Sequence, residues 1–421
     1  MKDFDEELLE FIEKHPTAYH VTEGQAKALE KAGFERLFEG DEWKLKKGGK
    51  YYCVRNSSAL IAFAIPEGDW KGFSVAASHS DSPCLKIKEN PEMSQDGKYT
   101  RLNAEVYGGA ILATWFDRPL GIAGRVFVRD GVGLSERLVN FDRNMAIIAS
   151  LAIHMNRDVN NGYKYNAQKD MIPIAALSKD FCLKDALSKE CGVKAEDILG
   201  YDLFLYNREK GCFLGAGQEF MAGARLDDAA CAYASLCAML ESSPSGKVAV
   251  HAVLDNEEVG SSTRQGAAST FLRNVLERIE EAFKDEGHAF KRDVAESFML
   301  SCDNGHALHP NYPEKCDVVN QPVLGGGVVL KFSANQKYTT DGGTAAKVRL
   351  LAEKAGAKLQ VFTNRSDIPG GSTLGNISAN QAAIAAADVG LAQLAMHSSY
   401  ECCGRGDAAE LKKLIGALLS E

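Results

Sequence analysis

Hydrophobic residues at the start of the chain fall on one face of a helix, and the pattern then changes to that of strands. Apolar side chains between positions 4 and 12 have helical spacing, and Pro16 ends that helix. A second helix is predicted at 17–32, before Gly33. Three strands follow it, at 51–55, 59–65 and 73–78.

The middle of the chain has a different pattern. Three short segments bounded by turn residues predict strands: 99–107, 111–116 and 122–128. An apolar run at 145–155, MAIIASLAIHM, predicts a helix. We interpret residues 91–222 as an inserted β-rich domain, and 1–90 and 223–421 as the two parts of the domain that it interrupts.

Beyond residue 222, helices and strands alternate. Helices are predicted at 227–241, 266–283, 343–355 and 407–419, and strands at 248–254, 297–301, 327–332, 358–362 and 381–391. Such alternation is typical of an α/β fold with a mainly parallel sheet flanked by helices.

The strand at 248–254 ends in a cluster of acids within HAVLDNEEVGSS. Asp255, Glu257 and Glu258 follow a β-branched, apolar run. Buried carboxylates are costly without a partner, so the cluster either binds a cation or lies exposed. In an extended backbone Glu257 and Glu258 would point to opposite sides, one towards a metal and the other towards water or a substrate. A solvated acidic loop is the alternative.

Further acids and histidines follow the other predicted strands. They are His79, Asp303, His306 and His397, while Asp227 opens a helix. Each alone has a structural explanation, such as a buried histidine with satisfied hydrogen bonds or a helix cap. Ligands bind at the carboxyl ends of strands in open α/β sheets, so together these residues predict a metal site.

Imidazole and carboxylate ligands suit zinc, although manganese or cobalt also accept such a set. There are enough candidates for two ions that share one carboxylate, an arrangement typical of hydrolysis. Asp81 lies two residues after His79 and can accept its second ring N–H, which would fix the tautomer.

Composition narrows the class of partner. The 421 residues carry a net charge of −9, which argues against nucleic acid or an anionic membrane surface as the main partner. No apolar run reaches the length of a membrane span, and the acidic start is unlike a secretory signal. Eleven cysteines without a CxxC pair predict reduced thiols in the cytoplasm. The length predicts at least two domains.

Several motifs resemble one family over nearly the whole chain. They are ASHSDSP, ARLDD, LDNEEVGS, SCDNGHALHPNYPEK, GGVVLKFSANQKYTTD, GGSTLG and MHSSYE. Their order and spacing are similar to those of the aspartyl aminopeptidase family of dinuclear zinc metallopeptidases. The resemblance implies a peptide substrate and hydrolysis at its N-terminal residue.

The resemblance also implies roles for the candidate residues. One zinc would bind His79 and Asp303, the other would bind Glu258 and His397, and Asp227 would bridge them. Glu257 would be the general base, and Asp81 is placed with it among the catalytic residues.

Substrate contacts are implied at His306, Lys331 and Tyr338. Lys331 would pair with an acidic N-terminal side chain, and a solvated lysine is the alternative. The inserted domain would dimerise within a tetrahedral dodecamer. There His154 would reach a neighbouring active site; a partly buried helix histidine is the alternative.

Two departures from the family pattern bear on specificity. Asp228 stands where relatives commonly have asparagine, so it would perturb nearby pKa values or face solvent. Tyr400 replaces the usual arginine before Glu401, and this loss of a cation favours broad or non-acidic specificity as the alternative.

Other functions fit the sequence less well. A metal-dependent carboxypeptidase or deacylase would share the ligands but not the motif spacing. A non-catalytic assembly protein would not need Glu257. The glycines at 325–327 precede a strand, which disfavours a dinucleotide site, and no cysteine lies in a nucleophile motif.

Overall fold

The computed structural model describes residues 2–284 and 288–421. The chain forms two compact units. The first comprises Met1–Asp81, Gly211–Met396 and Glu401–Glu421; the second comprises Ser82–Lys210 and His397–Tyr400.

Helices and strands are numbered along the chain. The α-helices of the described residues are α1 Phe4–Lys14, α2 Ala18–Lys31, α3 Ala167–Asp170, α4 Leu183–Cys191, α5 Leu226–Glu241, α6 Phe271–Phe283, α7 Ala289–Ala295, α8 Gly342–Ala355, α9 Leu374–Ala382 and α10 Asp407–Leu419. The strands up to β10 are β1 Glu35–Leu37, β2 Lys50–Arg55, β3 Ala59–Ala64, β4 Phe73–His79, β5 Cys84–Gln95, β6 Tyr99–Tyr107, β7 Leu120–Asp130, β8 Gly133–Asn140, β9 Ile174–Ala176 and β10 Ile198–Asn207. The remaining strands are β11 Cys212–Leu214, β12 Phe220–Gly223, β13 Val248–Leu254, β14 Phe298–Cys302, β15 Gly305–His306, β16 Val328–Phe332, β17 Leu359–Thr363, β18 Ala385–Leu394 and β19 Glu401–Gly404.

The first unit is built on one large sheet with the order β1-β2-β3-β13-β4-β14-β18-β19-β12-β11. Its central strands β13, β4, β14 and β18 run parallel, and antiparallel strands flank them on both sides. Every residue of β4 and β13 is buried, as expected for strands covered on both faces. The predicted α/β class with flanking helices is confirmed.

Register brings the carboxyl ends of the central strands together. Leu254 at the end of β13 lies opposite His79 at the end of β4, and Ser301 in β14 lies opposite Ala77. Residues that follow these strands therefore share one edge of the sheet.

Helices cover both faces of this sheet with apolar side chains. One buried cluster includes Leu8 of α1, Leu236 of α5 and Leu411 of α10. The opposite cluster includes Leu276 of α6 and Leu374 of α9. Over the described residues, none of the helices has both the length and the apolar character needed to cross a membrane.

The second unit contains a separate antiparallel sheet with the order β8-β7-β10-β5-β6-β9. Its own core includes Leu85, Ile122, Val126, Leu203 and Leu205. The divisions predicted at residues 90 and 222 fall within β5 and β12, so the observed units divide earlier in the chain at both ends.

Two predictions in the second unit were wrong. The predicted helix at 145–155 is absent; Ala146, Ile147 and Ile148 form isolated β-bridges, and Ile153–Met155 is a 3-10 turn. Burial alternates from Ala146 to Ile148, which is the period of an extended chain. The predicted strand at 111–116 contains the 3-10 turn Leu112–Trp115.

Two elements of the first unit begin later in the chain than predicted. The helix predicted from 266 begins at Phe271. The strand predicted from 381 begins at Ala385, because residues 381 and 382 end a helix, α9, that was not predicted. Ala383 then adopts a left-handed conformation and separates the two elements.

Candidate metal centre

Four buried residues meet at the shared edge of the central strands. Ligand atoms of His79, Asp227, Asp228 and Asp303 all lie within 4.8 Å of one another. His79 ends β4, Asp303 follows β14, and the two aspartates lie in the first turn of α5. The strand register therefore collects side chains that are far apart in sequence.

The distances within this group suit ligands of a common ion. His79 Nε2 lies 3.7 Å from Asp227 Oδ1 and 3.9 Å from Asp303 Oδ1. Both separations exceed a normal hydrogen bond. Two ligands of one tetrahedral zinc lie about 3.3 Å apart, given bonds of about 2.0 Å. The residues present therefore fit a zinc ion with modest movement.

Asp228 is fully buried, so the alternative in which it faces solvent is wrong. Its Oδ2 accepts the backbone N–H of His79 at 3.2 Å. Its Oδ1 is buried and has no hydrogen-bond partner among the described residues. A cation beside this group would compensate for its burial.

Glu257 and Glu258 approach the same histidine from the loop after β13. Ligand atoms of His79, Glu257 and Glu258 lie within 4.8 Å of one another. The extended geometry predicted for the glutamates was wrong, because Asn256 is left-handed and Glu257–Val259 forms a 3-10 turn. A tight turn, rather than strand pleating, therefore brings both carboxylates towards His79.

Asp81 holds this turn as well as contacting His79. Its two carboxylate oxygens accept the backbone N–H groups of Glu257 at 3.1 Å and Glu258 at 3.2 Å. His79 Nδ1 lies 3.1 Å from the carbonyl oxygen of Asp81 and 3.4 Å from its Oδ1. Nδ1 of His79 therefore contacts Asp81 chiefly at the backbone carbonyl oxygen. Nε2 of His79 faces the carboxylates of Asp227 and Asp303.

The electrostatics indicate an excess of negative charge. Burial alone would lower the pKa of His79, but Asp228, Asp227, Asp303 and Asp81 outweigh it and raise the pKa well above its usual value. Burial also raises the pKa of Asp228 and Glu258, and nearby carboxylates add to both effects. One imidazole cannot balance the negative charge of so many buried carboxylates. A divalent cation would supply the missing positive charge.

Glu257 responds to the same environment. Burial raises its pKa to about 8, with further contributions from Asp303, Asp81 and Asp227, while His79 opposes the shift. A divalent cation beside Glu257 would oppose this shift and favour the ionised carboxylate that a general base requires.

Supporting residues around Asp227 were not predicted. Glu401 is buried, and its Oε2 accepts the backbone N–H of Asp227 at 3.0 Å. Asn304 donates to the carbonyl oxygen of Leu226 at 2.9 Å. Asp227 has a non-helical backbone at the start of α5, two residues after Arg225. The final glutamate of MHSSYE was the available signal for Glu401.

Lys331 is buried, with 1% of its surface exposed, so the solvated-lysine alternative is wrong. Its ammonium group donates to the carbonyl oxygens of Asp303 at 2.7 Å and Asn304 at 3.3 Å. It also lies 5.0 Å from the ring centroid of Tyr338. Burial opposes the charge, yet Asp303 and its other neighbours raise the pKa of Lys331.

The other predicted substrate contacts lie near Phe362 in the first unit. The ring of Tyr338 is buried, with its centroid 6.2 Å from that of Phe362. The exposed ring of His306 lies 6.1 Å from Phe362.

Two candidate histidines belong to the second unit. His397 has a left-handed backbone, and its Nδ1 lies 3.1 Å from the carbonyl oxygen of Gly109. His154 is exposed on the turn Ile153–Met155, so the alternative of a partly buried helix residue is wrong. The hydroxyl of Tyr400 donates to the carbonyl oxygen of Lys210 at 2.7 Å.

Comparison with known proteins decides the family. The family described as aminopeptidase I zinc metalloprotease (M18) matches residues 11–418. The chain belongs to the M18 family. It is therefore a metallo-aminopeptidase, and the expected family resemblance is confirmed.

Curated M18 relatives match over almost the full chain. A probable M18 family aminopeptidase 2 from Clostridium novyi is 44% identical over 414 residues, covering 96% of this chain and 95% of the relative. A protein of the same name from Pseudomonas aeruginosa is 41% identical over 424 residues, with coverage of 99% and 97%.

Two solved structures share the architecture. The S. cerevisiae mApe1 dodecamer has a TM-score of 0.88 and 30% identity, covering 99% of this chain and 96% of that one. An M18 aminopeptidase from Thermotoga maritima has a TM-score of 0.87 and 26% identity, with the same coverage.

Proposed function

We propose that this M18 aminopeptidase uses two zinc ions per chain to remove the N-terminal residue of peptides. His79 and Asp303 would hold one ion, Glu258 and His397 the other, and Asp227 would bridge them. The observation that supports this most is the buried group of His79, Asp227, Asp228 and Asp303, whose ligand atoms lie within 4.8 Å. Family membership supports zinc as the metal.

Bound zinc would polarise the scissile carbonyl and lower the pKa of the attacking water. Glu257 would take a proton from that water and pass it to the leaving amine. Asp81 would position both the histidine and the turn that carries the glutamates. It contacts His79 and accepts the backbone N–H groups of Glu257 and Glu258. It would thereby hold the base and the metal ligand in register.

Paired substitutions separate the two glutamates. Glu257→Gln should retain both metals and lose hydrolysis by about 10²–10⁴-fold, because only the proton acceptor is removed. Glu258→Gln should lose zinc from one site. Metal content and kcat/KM of the two variants, measured side by side, test the assignment. A fully active Glu257→Gln enzyme would exclude Glu257 as the base.

The family resemblance suggests a preference for acidic N-terminal residues. Lys331 is the candidate cation, since it lies beside Asp303 and Tyr338. One observation favours broad specificity as a second candidate: the ammonium group is buried and already donates to two backbone carbonyl oxygens. Asp303 Oδ2 also lies 3.9 Å from it.

A substrate panel distinguishes the candidates. If Lys331 binds the side chain of the N-terminal residue, hydrolysis should be faster for the Asp- and Glu-anilides than for the Leu- and Lys-anilides. Lys331→Ala should then remove that preference. Equal rates on all four anilides would leave the broad-specificity candidate.

The same resemblance supports a homo-oligomer. The S. cerevisiae mApe1 protein is a dodecamer, and we extend that assembly to this chain. The second unit would form the dimer contact, with His154 directed to a neighbouring site. A cytoplasmic location is supported by the eleven free cysteines.

A further inference from the structure

Asp388 is a buried carboxylate that the reaction described above does not use. It lies in the middle of β18, opposite Ser301 of β14 and Lys331 of β16, and has no exposed surface. A buried carboxylate is retained at low cost only where hydrogen bonds satisfy it. Its hydrogen-bond partners therefore indicate what it does.

Those partners come from two separate loops. Asp388 Oδ2 accepts the backbone N–H of Thr339 at 2.6 Å and its hydroxyl at 2.7 Å. Asp388 Oδ1 accepts the hydroxyl of Thr373 at 2.8 Å. We name residues 333–340 loop A and residues 364–373 loop B. One carboxylate thus ties the two loops together.

Further contacts reinforce the same connection. The backbone N–H of Asp388 donates to the hydroxyl of Thr340 at 2.9 Å, so loop A is held twice. The side chain of Asn364 in loop B hydrogen-bonds the hydroxyl of Tyr338 in loop A. Gly370 packs against Asn364 so closely that a Cβ there would lie 2.1 Å from Nδ2.

The network also fixes the start of α9. The hydroxyl of Thr373 accepts the backbone N–H of Gly375 at 3.0 Å and lies 3.1 Å from the hydroxyl of Ser301. A Cβ at Gly375 would lie 2.5 Å from Asp388 Oδ1, so only glycine permits this approach. Packing against a buried acid thereby explains the last glycine of the motif GGSTLG.

Loop A is adjacent to the candidate metal centre. Its Tyr338 ring lies 5.0 Å from the ammonium group of Lys331, and that group hydrogen-bonds the carbonyl oxygen of Asp303. A shift of loop A would therefore move groups next to a proposed metal ligand. Loop B connects to loop A through Asp388, which bonds Thr373 and Thr339, and through Asn364, which bonds Tyr338.

We propose that Asp388 is a positioning residue that couples loop B to loop A and sets the place of Tyr338 at the substrate pocket. The proposal rests on the proposed function in one respect, because it takes Tyr338 as a substrate contact. Its effect on substrate affinity should exceed its effect on the chemical step, since Asp388 does not contact the reacting groups.

Isosteric substitutions on the two loops provide the test. Thr373→Val and Thr339→Val each remove one hydroxyl from Asp388, and each should raise KM by about 2- to 30-fold with a smaller change in kcat. The double variant should lose less than the product of the single effects, because both act through one carboxylate. Thr373→Ser and Thr339→Ser keep the hydroxyl and should restore the wild-type KM.

Hydrogen exchange supplies a readout that does not depend on activity. Thr373→Val, a change in loop B, should accelerate exchange of the loop A amides at 338–340, whereas Thr373→Ser should not. Unchanged exchange in loop A together with multiplicative, independent effects on KM would overturn the coupling. An inactive wild-type enzyme would instead defeat the proposed function, and the exchange result would still decide the coupling.

Discussion

The first unit buries charge at the edge of its sheet, whereas the second unit exposes hydrophobic side chains on a short segment. His79, Asp227 and Asp228 are at most 3% exposed. In the second unit, Ile153 is 47% exposed and Met155 is 69% exposed. Charged side chains are usually exposed and large apolar ones usually buried, so both regions depart from the usual pattern.

We interpret the contrast as a need for two partners of different kinds. Buried carboxylates require positive charge, which a metal ion supplies. Several exposed apolar side chains on one short segment, as at Leu151, Ile153 and Met155, favour cover by another surface, which we propose is a second copy of the chain. Substitutions in the two regions should therefore fail in different ways.

The largest effect is expected at Asp227, the carboxylate that we propose two ions share. Asp227→Asn should lower kcat/KM by at least about 100-fold, beyond the 10–100-fold typical of residues that only support metal ligands. The reason is that Asp227, as the proposed bridging ligand, would serve both ions. Asp5→Asn, at a buried carboxyl group of α1, is the matched control and should retain activity. Wild-type kinetics in Asp227→Asn would contradict the claim that the buried carboxylates of the first unit hold metal ions.

A change of assembly, rather than chemistry, is expected in the second unit. The double substitution Ile153→Glu and Met155→Glu should reduce the particle mass in light scattering, because each covered apolar side chain contributes roughly 1.5–3 kcal/mol. Val132→Glu changes an exposed residue in the turn between β7 and β8 and should leave the mass unchanged. A monomeric wild-type protein would refute the oligomer.

A smaller effect should come from a buried polar group that needs no cation. His251 in β13 lies between Ser235 Oγ, 2.7 Å from its Nδ1, and Gln25 Oε1, 2.9 Å from its Nε2. Burial lowers its pKa to about 3. Neutral partners suffice here, in contrast to the carboxylate cluster.

The pH dependence of stability follows from that shift. Below pH 6.5 the unfolded chain gains a proton on His251 that the folded protein excludes until about pH 3. The free energy of unfolding should therefore fall by about 1.4 kcal/mol per pH unit from this group as the pH drops. His251→Gln should have a shallower slope between pH 4.5 and 6.5 in urea unfolding. Equal slopes would contradict the buried neutral state.

Elements set by residues close together in the sequence were predicted better than features set by contacts between distant residues. β13 and α10 were predicted with their observed bounds, because apolar runs and end signals are local. The candidate ligands His79, Asp227 and Asp303 lie together as predicted, because the carboxyl ends of parallel strands meet. The prediction for the apolar run at 145–155 was wrong, since a short run fits either period and its partner strands lie elsewhere.

Other features depended on contacts that no local pattern carries. Thr339, Thr373 and Asp388 are ordinary polar residues until the sheet brings them together. The left-handed turn at Asn256, which directs Glu257 and Glu258, depends on hydrogen bonds from Thr263 and Gln265. The burial of Lys331 likewise became visible only once the loops around it were placed.

The central claim is that the buried charge at the sheet edge exists to hold two metal ions. The most direct measurement is the zinc content of the purified wild-type protein by elemental analysis, with hydrolysis assayed on the same sample. The account predicts about two zinc ions per chain in active enzyme. Full activity in a preparation that contains no metal would contradict it.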